Sequence, residues 1–450
     1  MSNRKVPYIS GKGLGLEAKR IIDEYDKYKH TGASVHPPIV WKKASGAVVE
    51  DIDGNTYIDF TSGIAVANAG HCPPLVVEAV REQVGKIINC YDHPTFERAK
   101  LQRELAELCI TDLKGDSHNK VLLTTGGTES VEAGIKLSKR YTGKYEVITT
   151  EGGFHGRSSY LGMSVTAHIR TRKGFGPMVP GILHVPYAYC YRCSFEKIYP
   201  DCDLLCTKHF ERTVEYKSTD MIAAFILEPI QGVAGYVVPP DEYIVRVKEF
   251  CERHNILLID DENQTGFGRT GKFLAIEHSG VKPDIILLGK GIASGLPLTA
   301  VVAREGIFDS LKPGDHSSTF GGNPLCAAAS LATIEQIRKD NLIDNGIEMG
   351  KYIMDKLFMM KEKHKLIGEV RGRGLLIGVE LVTDQNKKIP ATKECYMIRE
   401  KVYKKGLLMI PTGWWNSVLR IVPPLVITKD LADTGLDILD EALEEVENEI

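Results

Sequence analysis

Short runs of consecutive apolar residues recur along the chain, each ended by glycine, a turn or a polar residue. Examples are Val121-Leu122-Leu123, Tyr145 to Ile148, Met221 to Leu227, Ile256 to Ile259 and Ile285 to Leu288. Between several of them apolar positions fall at helical spacing, as in Pro240 to His254 with Tyr243, Val245, Val247, Phe250 and Cys251. Apolar strands without polar alternation, separated by helices, predict an α/β domain with a mostly parallel sheet covered on both faces. The pattern places this large domain at residues 61–325. Beyond it the rhythm changes. Ile334 to Lys365 is charged and helical in spacing, strand-like runs stand at Leu375 to Leu381 and Val418 to Val422, and an acidic helix runs from Leu431 to Glu449. That order predicts a smaller α+β domain over 326–450. Residues 1–60 carry no core of their own and are expected to pack with it.

Composition adds exclusions. The 450 residues are 43% hydrophobic and 26% charged, with a formal net charge of −3, which gives no reason to expect a nucleic-acid or anionic-membrane partner. Residues 1–30 are polar and charged, without the apolar run of a signal peptide. No apolar stretch of about 18 residues could span a bilayer. A soluble, cytoplasmic protein is the expectation.

In open α/β sheets ligands bind beyond the carboxyl ends of the strands. After Val121 to Leu123 comes Thr124-Thr125-Gly126-Gly127-Thr128-Glu129-Ser130, then a helical pattern. A Gly-Gly-Thr turn feeding a helix offers free backbone N–H groups and a hydroxyl, a cradle for phosphate, although a plain turn has the same look. After Ile256 to Ile259 come Asp260, Asp261 and Glu262, which read as a solvated turn or as ligands for a hard metal. After Ile285 to Leu288 comes Gly289-Lys290-Gly291, a lysine with space around its amine.

Taken together these segments resemble the class III aminotransferases, of the 4-aminobutyrate, ornithine and acetylornithine type. Asp261-Glu-Asn-Gln264-Thr-Gly-Phe-Gly-Arg-Thr-Gly is followed 29 residues after the acid by Lys290-Gly-Ile-Ala-Ser-Gly, as in that family. Gly153-Phe-His-Gly-Arg157, Glu228-Pro-Ile-Gln-Gly, His316-Ser-Ser-Thr319-Phe-Gly-Gly-Asn-Pro and Leu419-Arg420-Ile-Val-Pro-Pro-Leu extend the likeness over residues 30–445. The resemblance implies PLP fold type I, the aspartate-aminotransferase-like architecture, and pyridoxal 5′-phosphate (PLP) as cofactor. Lys290 would carry the cofactor as a Schiff base and shuttle the substrate proton. Asp261 would pair with the protonated pyridine nitrogen, so that the ring acts as an electron sink. Gln264 would meet the ring hydroxyl, Phe154 would stack on the ring, and Gly126, Gly127 and Thr128 would hold the phosphate. Thr319 would reach that phosphate from a second subunit, which implies a homodimer or a dimer of dimers with its sites at the interface. Glu228 matches a position close to the cofactor.

Two departures stand out. Asn263 occupies a place where the family carries Val against the ring. Val233 occupies a place where ornithine- and 4-aminobutyrate-type members carry a glutamate, which pairs with an arginine matching Arg420 when no α-carboxylate is bound. Arg420 remains suited to clamp a 2-oxo acid bidentately. Arg157 matches a second substrate-facing arginine and favours a donor with a distal acid or acyl tail; a structural ion pair is the other reading. The reaction implied is amino transfer from a β- or ω-amino acid, or its acyl or thioester derivative, to 2-oxoglutarate or pyruvate. Racemases and epimerases of the same family use the same lysine and aspartate and often lack the arginine, so they are the second reading. A non-catalytic PLP-fold binding protein is the third.

Six of the ten cysteines are scattered. Cys190, Cys193, Cys202 and Cys206 are spaced C-x2-C-x8-C-x3-C, which in a segment inserted at 187–210 predicts a structural zinc knuckle, with His209 as a substitute ligand. Two disulfides, disfavoured in a reducing compartment, and four free thiols are the alternatives.

Overall fold

The computed structural model describes residues 6–11, 13–32 and 37–450. The chain forms two compact units, one of Pro74–Ile343 and one of the residues up to Pro73 together with Asp344–Ile450.

The first unit is built on a seven-stranded sheet. In chain order its strands are β1 (Asn119–Thr124), β2 (Glu146–Thr150), β3 (Ile182–Val185), β4 (Ile222–Leu227), β5 (Leu257–Glu262), β6 (Ile285–Leu288) and β7 (Thr299–Arg304). Across the sheet they lie β1-β7-β6-β5-β4-β2-β3. Only β7 is antiparallel to its neighbours. Strands β4, β5, β6 and β7 are buried along their whole length, which is why they read as unbroken apolar runs. Val131 and Ile135 of helix Gly127–Thr142 pack on Ile226, Ile259, Leu287 and Val301 of the sheet. Burying six such side chains contributes roughly 10 kcal/mol before the entropy of ordering them is counted. The helix expected between Pro240 and His254 spans Asp241–Arg253, with those two residues as its caps.

The second unit carries two sheets. One orders Trp41–Ser45, Val48–Asp51, Thr56–Asp59 and Leu407–Leu408; the other joins Ile367–Arg373, Leu376–Asp384, Val418–Ile421 and Pro411–Thr412. The strands near the amino terminus are absent from the sequence expectation because their buried faces are partly polar. Asp51 accepts from the Asn55 and Tyr57 side chains, at 2.7 and 3.0 Å, and Asp59 from Thr61 Oγ1 at 2.6 Å. Satisfied polar groups can be buried, and the apolar pattern is lost.

The unit boundaries differ from those expected. Residues 61–73 belong with the amino-terminal segment, since backbone bonds run from Val422 N to Phe60 O and from Leu425 N to Asn68 O, both 2.9 Å. Residues 326–343 belong to the large unit, because helix Pro324–Lys339 packs against helices Pro74–Val84 and Phe96–Leu108. Among the described residues no helix is long and apolar enough to cross a membrane.

Candidate active site

The carboxyl ends of β1, β5 and β6 bring the expected residues of the large unit together. Helix Gly127–Thr142 starts after β1, with Gly126 as its cap in extended backbone and open space where a side chain would stand. Its first N–H groups have no partner within the helix, which suits them to an anion. Thr128 sits in a pocket made by two glycines: a Cβ at Gly156 would overlap Thr128 Oγ1, and one at Gly162 would stand 2.8 Å from its methyl. Thr299 of β7 closes the other side, its hydroxyl meeting Thr124 Oγ1 at 2.6 Å and the Gly126 carbonyl at 3.2 Å.

Asp261 and Lys290 leave adjacent parallel strands. Asp261 pairs with Leu287 and Glu262 with Leu288, and Lys290 follows two residues later. Lys290 holds φ 43°, in the left-handed region. A non-glycine residue there costs about 1–2 kcal/mol, and such strain persists where the surrounding structure over-determines it. Here Gly289 is pinned, because a Cβ on it would overlap Asn263 Oδ1 and stand 3.0 Å from the Thr299 methyl.

Asp261 is buried with both oxygens engaged. Its Oδ2 meets His155 Nδ1 at 2.6 Å, and its Oδ1 accepts from Asn263 Nδ2 at 2.7 Å and from Asn263 N at 3.2 Å. Its neighbours Asp260 and Glu262 point to the opposite face of β5, as alternation along a strand requires. That separation removes the reading of the three acids as one metal site. Burial pushes the Asp260 carboxyl well above the usual range and raises that of Glu262 to about 7. Glu262 accepts from Ile276 N at 2.8 Å and from the Thr265 hydroxyl.

Glu228, at the end of β4, clamps two loops. One oxygen accepts from Phe154 N and the other from Gly232 N, both at 2.9 Å, and burial raises its carboxyl. Gln264 Nε2 donates to Tyr236 OH at 3.2 Å, and its carbonyl lies where a Cβ on Gly232 would be. Arg157 is exposed, with its guanidinium 5.1 Å from the Phe154 ring centroid, and no carboxylate pairs with it among the described residues. Val233 is half-buried on a turn closed by bonds from Gly235 N and Tyr236 N to Gly232 O. Thr319 is exposed in the single chain, while its neighbour Ser318 donates to Glu129 at 3.0 Å, beside the cradle. Arg420 belongs to the other unit, on strand Val418–Ile421, where its Nη2 donates to Pro411 O at 3.3 Å and its Nε is buried without a partner.

Two contacts are visible only in the fold: His155, inside the Phe-His-Gly-Arg motif, stands behind Asp261, and Asn263, a departure from the family pattern, bonds the same carboxylate.

The cysteine segment corrects the metal expectation. Among the described residues no three His, Cys, Asp or Glu side chains are gathered as a metal ion needs. Cys190, Cys193, Cys202 and Cys206 form no disulfide. Cys190 starts a short 3-10 turn, and Cys206 lies in the first turn of helix Leu205–Lys217, where burial pushes its thiol up to about 12. His209 packs instead against Phe195, with ring centroids 6.0 Å apart. A zinc ligand set is therefore not supported.

Residues 30–443 match the family described as "Aminotransferase class-III". The chain belongs to the class-III aminotransferase family. It is 40% identical over 432 residues to the acetylornithine aminotransferase of Methanopyrus kandleri, covering 95% of this chain and 99% of that one. To the leucine/methionine racemase of Thermococcus litoralis it is 39% identical over 440 residues, covering 96% and 97%. Among solved structures, the ornithine aminotransferase of Toxoplasma gondii, with partial occupancy of PLP at its active site, superimposes with a TM-score of 0.84 at 31% identity, covering 96% of this chain and 95% of that one. The α/β fold is thus that of the PLP-dependent transaminases, and this class-III aminotransferase is a PLP-dependent enzyme. The residues fit the cofactor: an open cradle with unpaired helix N–H groups, a buried carboxylate braced by two side chains, and a lysine at the end of the next strand.

Proposed function

We propose that this class-III aminotransferase moves the amino group of a β- or ω-amino acid, or of its acyl or thioester derivative, to a 2-oxo acid such as 2-oxoglutarate or pyruvate. The observation that carries this is Arg157, a guanidinium stacked on Phe154 with no acidic partner among the described residues. Such a cation can bind a carboxylate or other anionic end far from the reacting amine.

When bound, PLP supplies a ring that withdraws the electrons left as the substrate loses its proton. Gly126, Gly127 and Thr128 would hold its phosphate and Phe154 one face of its ring. Gln264 would meet its hydroxyl and Asp261 its ring nitrogen. Asp261 needs to stay anionic there, and His155 and Asn263 support this by engaging both its oxygens. Lys290 would attach the cofactor and, once freed by the substrate amine, hold and return the substrate proton at its Nζ. Glu228 keeps Phe154 in place through the backbone. Thr319 would complete the phosphate site of a second copy, in a homodimer or dimer of dimers. Arg420 would bind the carboxylate of the 2-oxo acid, with Val233 in place of a gating glutamate.

A racemase or epimerase is the second reading, favoured by the 39% identity to the leucine/methionine racemase. Chiral chromatography of PLP-loaded protein with α-, β- and ω-amino acids, with and without an oxo acid, separates the two. Amino transfer only with an oxo acid supports the proposal. Inversion of an α-amino acid without one overturns it.

A further inference from the structure

The Asn263 side chain makes contacts that an apolar residue at this place would not make, beside a backbone N–H that any residue would offer. Its Nδ2 donates to Asp261 Oδ1 at 2.7 Å, its backbone N approaches the same oxygen at 3.2 Å, and its Nδ2 lies 3.3 Å from Ser130 Oγ in the cradle helix. Its own Oδ1 is buried without a hydrogen-bond partner. Turning the amide over would set Oδ1 against Asp261 Oδ1, two acceptors facing each other, so Asp261 fixes which way the amide points. Oδ1 therefore stays at the floor between Gly289, before Lys290, and Gly127, whose Cβ would stand 3.6 Å from it.

We propose that Asn263 is a positioning residue for the cofactor, locking the Asp261 carboxylate and setting how much negative charge it presents to the ring nitrogen. The inference rests on the reading of the site as a PLP site. A carboxylate held by His155 on one oxygen and by Asn263 on the other cannot rotate about its bond. Each donor also draws charge from the oxygen it touches. The titratable groups around Asp261 are His155 from the loop after β2, Glu228 from the end of β4 and the lysine that follows the adjacent strand β6, with Asp260 and Glu262 on the opposite face of its own strand. Asn263 touches Asp261 beside these groups but is uncharged, so it acts on Asp261 without titrating.

The test is Asn263→Val, which replaces the amide with an apolar side chain of similar size. The variant gives up the bonds from Nδ2 to Asp261 and Ser130 and relieves the unsatisfied Oδ1, and the thermal midpoint of the cofactor-free protein shows that it still folds. With the side-chain donor gone and the weaker backbone N–H at 3.2 Å left, Asp261 presents more charge to the ring. The ring then withdraws less from the nitrogen joining it to Lys290, which keeps its proton to higher pH. Absorbance titration of the loaded protein should show its midpoint raised by roughly half a pH unit, and the PLP dissociation constant should change with it. An unchanged midpoint and dissociation constant in the variant, beside a wild type that titrates normally, would overturn this inference alone. A wild type that takes up no PLP would overturn the cofactor reading and this one together.

Discussion

Glu262 stores a measurable cost at neutral pH. Its carboxyl lies wholly buried on β5, on the face opposite Asp261, and burial lifts it from 4.5 to about 7. In the unfolded chain it titrates at the ordinary value. A group raised on folding stabilises fully below the unfolded value, and that contribution is lost as pH rises through the folded one. The window is therefore about pH 4.5 to 7, and the difference, at about 1.4 kcal/mol per pH unit, comes to about 3 kcal/mol. Glu262→Gln removes the titration with little change in shape. The new amide oxygen can keep the Ile276 N–H, and the amide nitrogen can donate to Thr265, whose hydroxyl also accepts. Denaturant melts of both proteins at steps from pH 4.5 to 8 measure the difference, in which Asp260, buried against Glu262 on the same face, is the one other group whose titration the substitution alters. The variant should gain on the wild type by about 3 kcal/mol across that range. Two parallel curves would refute the reasoning and place Glu262 in contact with water.

Three further outcomes follow from the geometry. Gly156→Ala places a Cβ against the Thr128 side chain at φ 123°, so PLP should bind about tenfold more weakly or worse; equilibrium titration with PLP checks it. Lys290→Ala should abolish turnover and leave a cofactor that dialysis removes. Purified protein should carry substoichiometric zinc by elemental analysis, and Cys206→Ser should leave the thermal midpoint in place. One zinc per chain, lost together with stability in that variant, would restore the knuckle.

Much of the site could be read along the chain because parallel sheets deliver their chemistry at strand ends. Asp261 and Lys290 follow apolar runs that read as buried strands, and the glycines at 126–127 and 289 mark where the backbone leaves no side chain in the way. The strand at Thr299–Arg304 shows the limit: its apolar run says nothing of direction, and its antiparallel place between β1 and β6 is set by neighbours far away in sequence. The amino-terminal strands were hidden because Asp51 and Asp59 are buried on hydrogen bonds, which no polarity pattern records.

The sequence by itself determined the apolar strands of the large unit, the family and the residue types that PLP chemistry needs, because apolar runs and motif spacing are local properties. The tertiary structure decided what surrounds Asp261. His155 reaches it across 106 positions, Glu228 spans 74 to hold Phe154, and Asn263 turns its amide inward. It also gathers no metal-ligand set at the four cysteines among the described residues, since spacing counts thiols but cannot aim them. Direction and distance between remote side chains are fixed only when the elements carrying them pack.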